Sequence, residues 1–260
     1  MELSGSGPRG RLAAALRPLI TMTVSAALDD EVLTQAAEAL EALAASMDQR
    51  SLPGKHPRRP PDMTRPPQEF FPNSPISGLL NPIAPPVHIW AVDGAEGGYR
   101  EVRGDAWFDY PYEGPPTCVH GGVIAETFDE ILGAANMVAD NPAMTGTLTI
   151  RYRKPTPLRT ALRIEARCID RQRRKVHTWG GIYNGDELTA EAEGIFIVVG
   201  PKRMVAIAEA NPDTADPEML AAMRAEAVAV AASMAGSHAR ENSDLDDPDD
   251  PGTAGPLQVG

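Results

Sequence analysis

Residues 120–135 read His120-Gly121-Gly122-Val123-Ile124-Ala125-Glu126-Thr127-Phe128-Asp129-Glu130-Ile131-Leu132-Gly133-Ala134-Ala135. Val123, Thr127, Ile131 and Ala135 recur every four positions, and Ile124, Phe128 and Leu132 repeat the pattern one residue on. Two adjacent stripes at that period describe a helix buried over a wide face. No Lys or Arg lies between Cys118 and Ala139, where a surface helix would carry several. The spacing predicts a central helix over 118–139.

Strand candidates surround this helix. Upstream they cover 87–92 and 99–108, the latter alternating through Val102, Ala106 and Phe108. Downstream they cover 146–153, 162–169, 175–183 and 188–199, and Asn184-Gly185 between the last two is a hairpin signal. Closely spaced strands after one buried helix indicate an α+β layout, an antiparallel sheet covering the helix.

The flanks read differently. Residues 1–28 are expected to be disordered or an extension: Arg9, Arg11 and Arg17 precede an apolar stretch over 19–28 that resembles a weak signal peptide, and Met22 is an alternative start. Val32, Leu33, Ala36, Leu40 and Leu43 mark an accessory helix over 29–50. Pro53, Pro57, Pro60, Pro61, Pro66 and Pro67 make 51–72 a linker. The folded domain is expected over 73–203, a helical segment over 204–235, and an acidic disordered tail over 236–260, where Asp244, Asp246, Asp247, Asp249 and Asp250 cluster.

Apolar residues make up 42% of the chain, enough to close a core. A formal charge of -12 argues against a nucleic-acid partner, which needs a concentrated basic face. Cys118 and Cys168 have neither disulfide-framework nor metal-type spacing, which suits a reducing, cytoplasmic setting. No apolar run reaches the roughly 20 residues of a membrane span.

The chemistry concentrates at the start of the central helix. Gly121 and Gly122 leave the first N–H groups unscreened, at the end of the helix with unpaired donors and partial positive charge. Such groups polarise a carbonyl and stabilise developing negative charge; close packing of helix on strand would also select glycine. Asp129 sits in an otherwise apolar helix, where burial would raise its pKa towards the range of a general base; alternatively it faces water beside Glu126 and Glu130. Asp129 is eight residues past Gly121, about 12 Å along the axis. One small reacting group cannot touch both in one chain, so a shared reaction requires the carboxylate of a second copy across a two-fold axis.

The segment 120–129 resembles the His-Gly-Gly signature of hotdog-fold acyl-CoA thioesterases of the 4-hydroxybenzoyl-CoA thioesterase superfamily. The similarity is to the phenylacetate-pathway (PaaI-type) enzymes and the carboxyl-terminal modulator protein group. The acid nine positions after the His falls on Asp129, and the flanks agree: Tyr112-Glu113-Gly114-Pro115-Pro116 before, Met144-Thr145-Gly146-Thr147-Leu148-Thr149-Ile150 and Tyr152-Arg153-Lys154-Pro155-Thr156-Pro157-Leu158 after. It covers roughly 73–200. It implies a hotdog fold, a curved antiparallel sheet wrapped around one long helix, in a homodimer or tetramer that hydrolyses acyl-CoA without a cofactor. It also implies roles. The Gly121 N–H, with that of Gly122, would hold the thioester carbonyl, and His120 would shape the helix start. Asp129 of the partner chain would activate water or attack directly, and Thr145 would orient the water or the carboxylate. Some relatives carry an Asn ahead of the His; here Glu113 and Gly114 occupy that region.

Other residues are candidates for chemistry. Cys118 lies beside the helix start with His120 two residues away, and Glu126 is one turn before Asp129. Arg151, Arg153 and Lys154, or Arg171, Arg173, Arg174 and Lys175, are candidates to dock CoA phosphates. His177 and Trp179 read as strand packing, with no metal-ligand spacing. The competing expectations are a non-catalytic acyl-CoA-binding scaffold and a hotdog enoyl-CoA hydratase.

Overall fold

The computed structural model describes residues 7–47, 72–85, 87–95, 98–141, 143–210 and 217–236. They fall into two compact units, divided between Val198 and Val199. The proline-rich 51–71, the linker's greater part, and the acidic tail beyond Gly236 lie outside the described residues.

In the first unit, six antiparallel strands form one sheet. They are β1 (His88–Val92), β2 (Glu101–Ala106), β3 (Ala143–Tyr152), β4 (Leu162–Gln172), β5 (Lys175–Asn184) and β6 (Glu187–Val198), in the spatial order β1-β2-β4-β5-β6-β3. The open, curved sheet covers the helix α3 (Gly121–Val138), giving the expected α+β hotdog architecture. Ile124, Thr127, Phe128, Ile131, Leu132 and Ala135 of α3 are buried, so the double stripe of the sequence is the contact face. Opposite it, Val102, Ala106, Leu162, Ile164, Ala166, Val176, Ile182, Ala192 and Phe196 point inwards at alternate positions along their strands. Gly194 lets helix and sheet approach: a Cβ there would stand 2.6 Å from the Phe196 ring, 2.7 Å from Thr178 Oγ1 and 3.1 Å from Leu132 Cδ1. The β5–β6 turn uses Gly185 (φ 59°) and Asp186, because Asn184 already pairs with Glu187.

The sheet's outer face is a polar lattice. Arg167 stacks over Trp179 and Arg163 over Tyr183, at 4.4 and 4.0 Å from the ring centroids. Tyr183 donates to Glu165 at 2.6 Å, and desolvation together with that carboxylate pushes its phenol up to about 12.

The N-terminal region departs from expectation. Residues 1–28 are not a mere extension: Pro8–Ser25 form the helix α1, which runs through Pro18. An internal proline costs about 3 kcal/mol, and the helix holds because Gly10 and Ala13 are buried and Arg17 binds a distant loop. The helix α2 (Asp30–Met47) lies within the 29–50 expected for an accessory helix, residues 48–50 being outside the described ones, and none of its side chains is buried. In the second unit the helical segment starts earlier than 204: α4 (Pro201–Glu209) opens with proline at its first turn, and α5 (Pro217–Gly236) packs on it, with Arg224 bonded to Glu209 at 2.6 Å. Among the described residues no helix is long and apolar enough to cross a membrane.

Candidate active site

Helix α3 begins at Gly121 because His120 caps it. The His120 backbone is extended (φ -59°, ψ 135°), and its Nδ1 accepts the Gly122 N–H at 2.9 Å. Among the described residues the Gly121 N–H has no acceptor. Of the two glycine donors expected, the Gly122 N–H is taken by the cap, and the Gly121 N–H is the one left unpaired. Packing does not require glycine at 121, since a Cβ there would meet the Tyr152 ring and hydroxyl at 3.5–3.6 Å, an ordinary contact. At 122 a Cβ would come within 3.0 Å of His120 Nδ1 and press on the cap itself.

Tyr152, at the end of β3, donates its hydroxyl to the Gly121 carbonyl at 2.9 Å. The sequence placed it in a matching flank but gave it no role, since the contact joins residues 31 positions apart. Gly114 packs behind the cap, where a Cβ would lie 2.7 Å from His120 Cα. That explains why no side-chain donor stands at 114. Glu113 accepts the Thr117 N–H at 2.7 Å, close to the helix start.

Asp129 is exposed in the single chain, as is Glu126, so of the two readings open for it the single chain shows the water-facing one. The covered carboxylate is its neighbour Glu130, bonded by the Ser77 hydroxyl. Desolvation raises the pKa of Glu130, partly offset by hydrogen bonds from Ser77 and Ser74. The two carboxylates differ because successive helix positions are about 100° apart: Glu130 turns under the loop that holds Ser74 and Ser77, both buried, and Asp129 turns towards β3. Thr145 Oγ1 donates to Asp129 Oδ1 at 2.6 Å. The β3–β6 register shifts between Thr145 and Thr147, and such an irregularity re-aims a side chain. Thr145 thus meets Asp129, and both lie away from Gly121.

The remaining candidates fare unequally. Arg151 pairs with Glu193 at 2.7 Å, Arg153 with Glu191, and Lys154 with Glu187. These three cations are already matched by carboxylates, so a phosphate docking there would have to displace them. Arg171 donates to the Asn141 side chain at 3.2 Å and to the Arg173 carbonyl at 3.0 Å, which ties the β4–β5 turn to the far end of α3. Cys118 is half-buried. The His120 Nδ1 beside it is already engaged by the Gly122 N–H. Among the described residues no His, Cys, Asp and Glu cluster could hold a metal.

A solved thioesterase superfamily protein is 30% identical to this chain, aligned over 74% of it and 91% of the other, with a TM-score of 0.63. The chain belongs to the thioesterase superfamily. The model of that superfamily matches residues 117–191, a stretch holding His120, Gly121, Asp129, Thr145 and Tyr152. The acyl-coenzyme A thioesterase THEM4 of Xenopus laevis is 37% identical over 94 residues, 35% of this chain and 42% of that protein. Its counterpart in Mus musculus is 33% identical over 93 residues, 35% and 40% of the two chains. The matches therefore span about two fifths of these THEM4 relatives.

Proposed function

We propose that this thioesterase superfamily chain hydrolyses acyl-CoA thioesters to CoA and a free acid, as a homodimer with composite sites. The observation that carries the reading is the Asp129–Thr145 pair: an exposed carboxylate oriented by a hydroxyl at 2.6 Å, on the helix whose first N–H is free. The Gly121 N–H accounts for carbonyl polarisation, with His120 holding the helix start. Because Asp129 lies about 12 Å down the same helix, it serves the Gly121 of a second copy.

The edge strand β3 supports that association. Its ten residues pair with β6 on one side only, and Met144, Thr145, Thr147, Thr149, Arg151 and Tyr152 are exposed. An exposed edge of this length is a template for pairing with another chain. In the dimer, Asp129 either takes a proton from water or attacks the thioester carbon directly. In both routes CoA leaves as thiolate and water supplies the oxygen of the acid.

The test is CoA release from a panel of acyl-CoAs, followed with a thiol reagent, for the wild type, Asp129→Ala and Thr145→Val. Turnover is expected to fall by about a hundredfold or more without the carboxylate, and less without the Thr145 hydroxyl. Folded wild-type protein that releases CoA from none of the panel would refute the reading.

A further inference from the structure

Arg17 lies in α1, far outside the stretch matched by the superfamily model, yet its half-buried guanidinium is bound to a single loop beside the candidate site. Nε donates to the Ala84 carbonyl at 3.3 Å, and Nη2 donates to those of Gly78, Leu79 and Asn81 at 3.3, 3.0 and 3.0 Å. Among the described residues no carboxylate pairs with it. A planar fork of five donors suits this gathering of carbonyls, which an ammonium with three mobile donors cannot reproduce.

The gathered loop leads to the candidate site by two short routes. The Ile83 carbonyl accepts the Tyr112 hydroxyl at 2.8 Å, and the Tyr112 carbonyl accepts the His120 N–H at 2.8 Å. His120 is the cap that directs the first N–H groups of α3. On the other route Ser77, one residue before the Arg17-bound carbonyls, donates to Glu130, the neighbour of Asp129. Helix α1 also packs on the 110–112 turn that carries Tyr112.

We propose that Arg17 is a positioning residue for the thioester site. By drawing the carbonyls of Gly78, Leu79, Asn81 and Ala84 together it fixes Ile83 against Tyr112. Tyr112 in turn fixes the His120 cap and the aim of the Gly121 N–H. The role makes α1 part of the working enzyme, and a chain begun at Met22 would lack it. The inference rests on the thioesterase reading for its kinetic consequence only.

The test uses full-length Arg17→Met, Arg17→Lys, Tyr112→Phe and the Arg17→Met/Tyr112→Phe double variant, each checked for a cooperative thermal transition. Misaiming a transition-state donor lowers kcat more than it raises KM. For Arg17→Met kcat is expected to fall about ten- to a hundredfold, with KM within about twofold. Arg17→Lys recovers part of the loss, and the double variant is little worse than the poorer single one, because both act on one link. Independently of turnover, exchange of the His120 amide hydrogen speeds up in Arg17→Met and in Tyr112→Phe. Unchanged kcat and unchanged His120 exchange in a folded variant would overturn the proposal, as would fully additive losses. Should Arg17→Met fail to fold, Arg17→Lys and Tyr112→Phe decide by the same criteria. A wild type that hydrolyses no acyl-CoA defeats the functional reading, and the exchange measurement then settles the positioning role.

Discussion

Asp129 and Glu130 are adjacent carboxylates with opposite surroundings, one facing water and the other turned under the Ser74–Ser77 loop. Helical periodicity places both at the border of the apolar face and cannot tell which flank a loop will cover. The burial of Glu130 has a consequence for stability. Its folded pKa lies above its unfolded value, so between those two values the native state holds more protons than the unfolded state. Stability therefore falls as pH rises through that window, from about 4.3 upwards, and the deficit persists at neutral pH. Glu130→Gln keeps an oxygen for the Ser77 hydroxyl and removes the desolvated charge. Its melting temperature is expected to exceed the wild type's at pH 7, with the gap closing below about pH 4. Thermal melts of both proteins across pH 3–8 check this. A gap that widens towards low pH would contradict it.

At the scale of elements, α3 and the sheet were legible because their signals are periodic. The stripe from Val123 to Ala135 matched the buried face, and every expected strand is present with ends shifted by a few residues. The glycines opposite the helix were not legible, because their need arises from the Leu132 and Phe196 side chains packed between helix and sheet. Gly194→Ala is expected to cost about 1–3 kcal/mol through overpacking, measured as a lower denaturant midpoint with an unchanged slope. Helix α1 was missed for a related reason. Pro18 interrupts its local pattern, and what holds it is an arginine reaching carbonyls more than sixty residues away.

At the scale of the whole molecule, the candidate site divides. Gly121, His120 and Tyr152 stand at the start of α3, and Asp129 with Thr145 about 12 Å along it. The composite-site proposal predicts complementation between two inactive chains. Asp129→Ala mixed with a Gly121→Pro chain, which lacks the Gly121 N–H, leaves one intact site in each mixed dimer. Random exchange makes half the dimers mixed, so activity should recover to roughly a quarter of the wild type's. CoA release after mixing and subunit exchange measures it, and no recovery despite proven exchange would argue for a site within one chain.

The motif His120-Gly121-Gly122 with Asp129 nine residues after the His, the central helix and the strand succession were all determined by the sequence alone, because each is a matter of short-range spacing. Only the tertiary structure decided that Glu130 and not Asp129 is covered, that Arg151, Arg153 and Lys154 are already paired, and that Arg17 of α1 gathers the carbonyls of residues 78–84. Those outcomes depend on hydrogen bonds and ion pairs formed across the sheet or between segments, and partners that meet only on folding leave no period in the chain to be read.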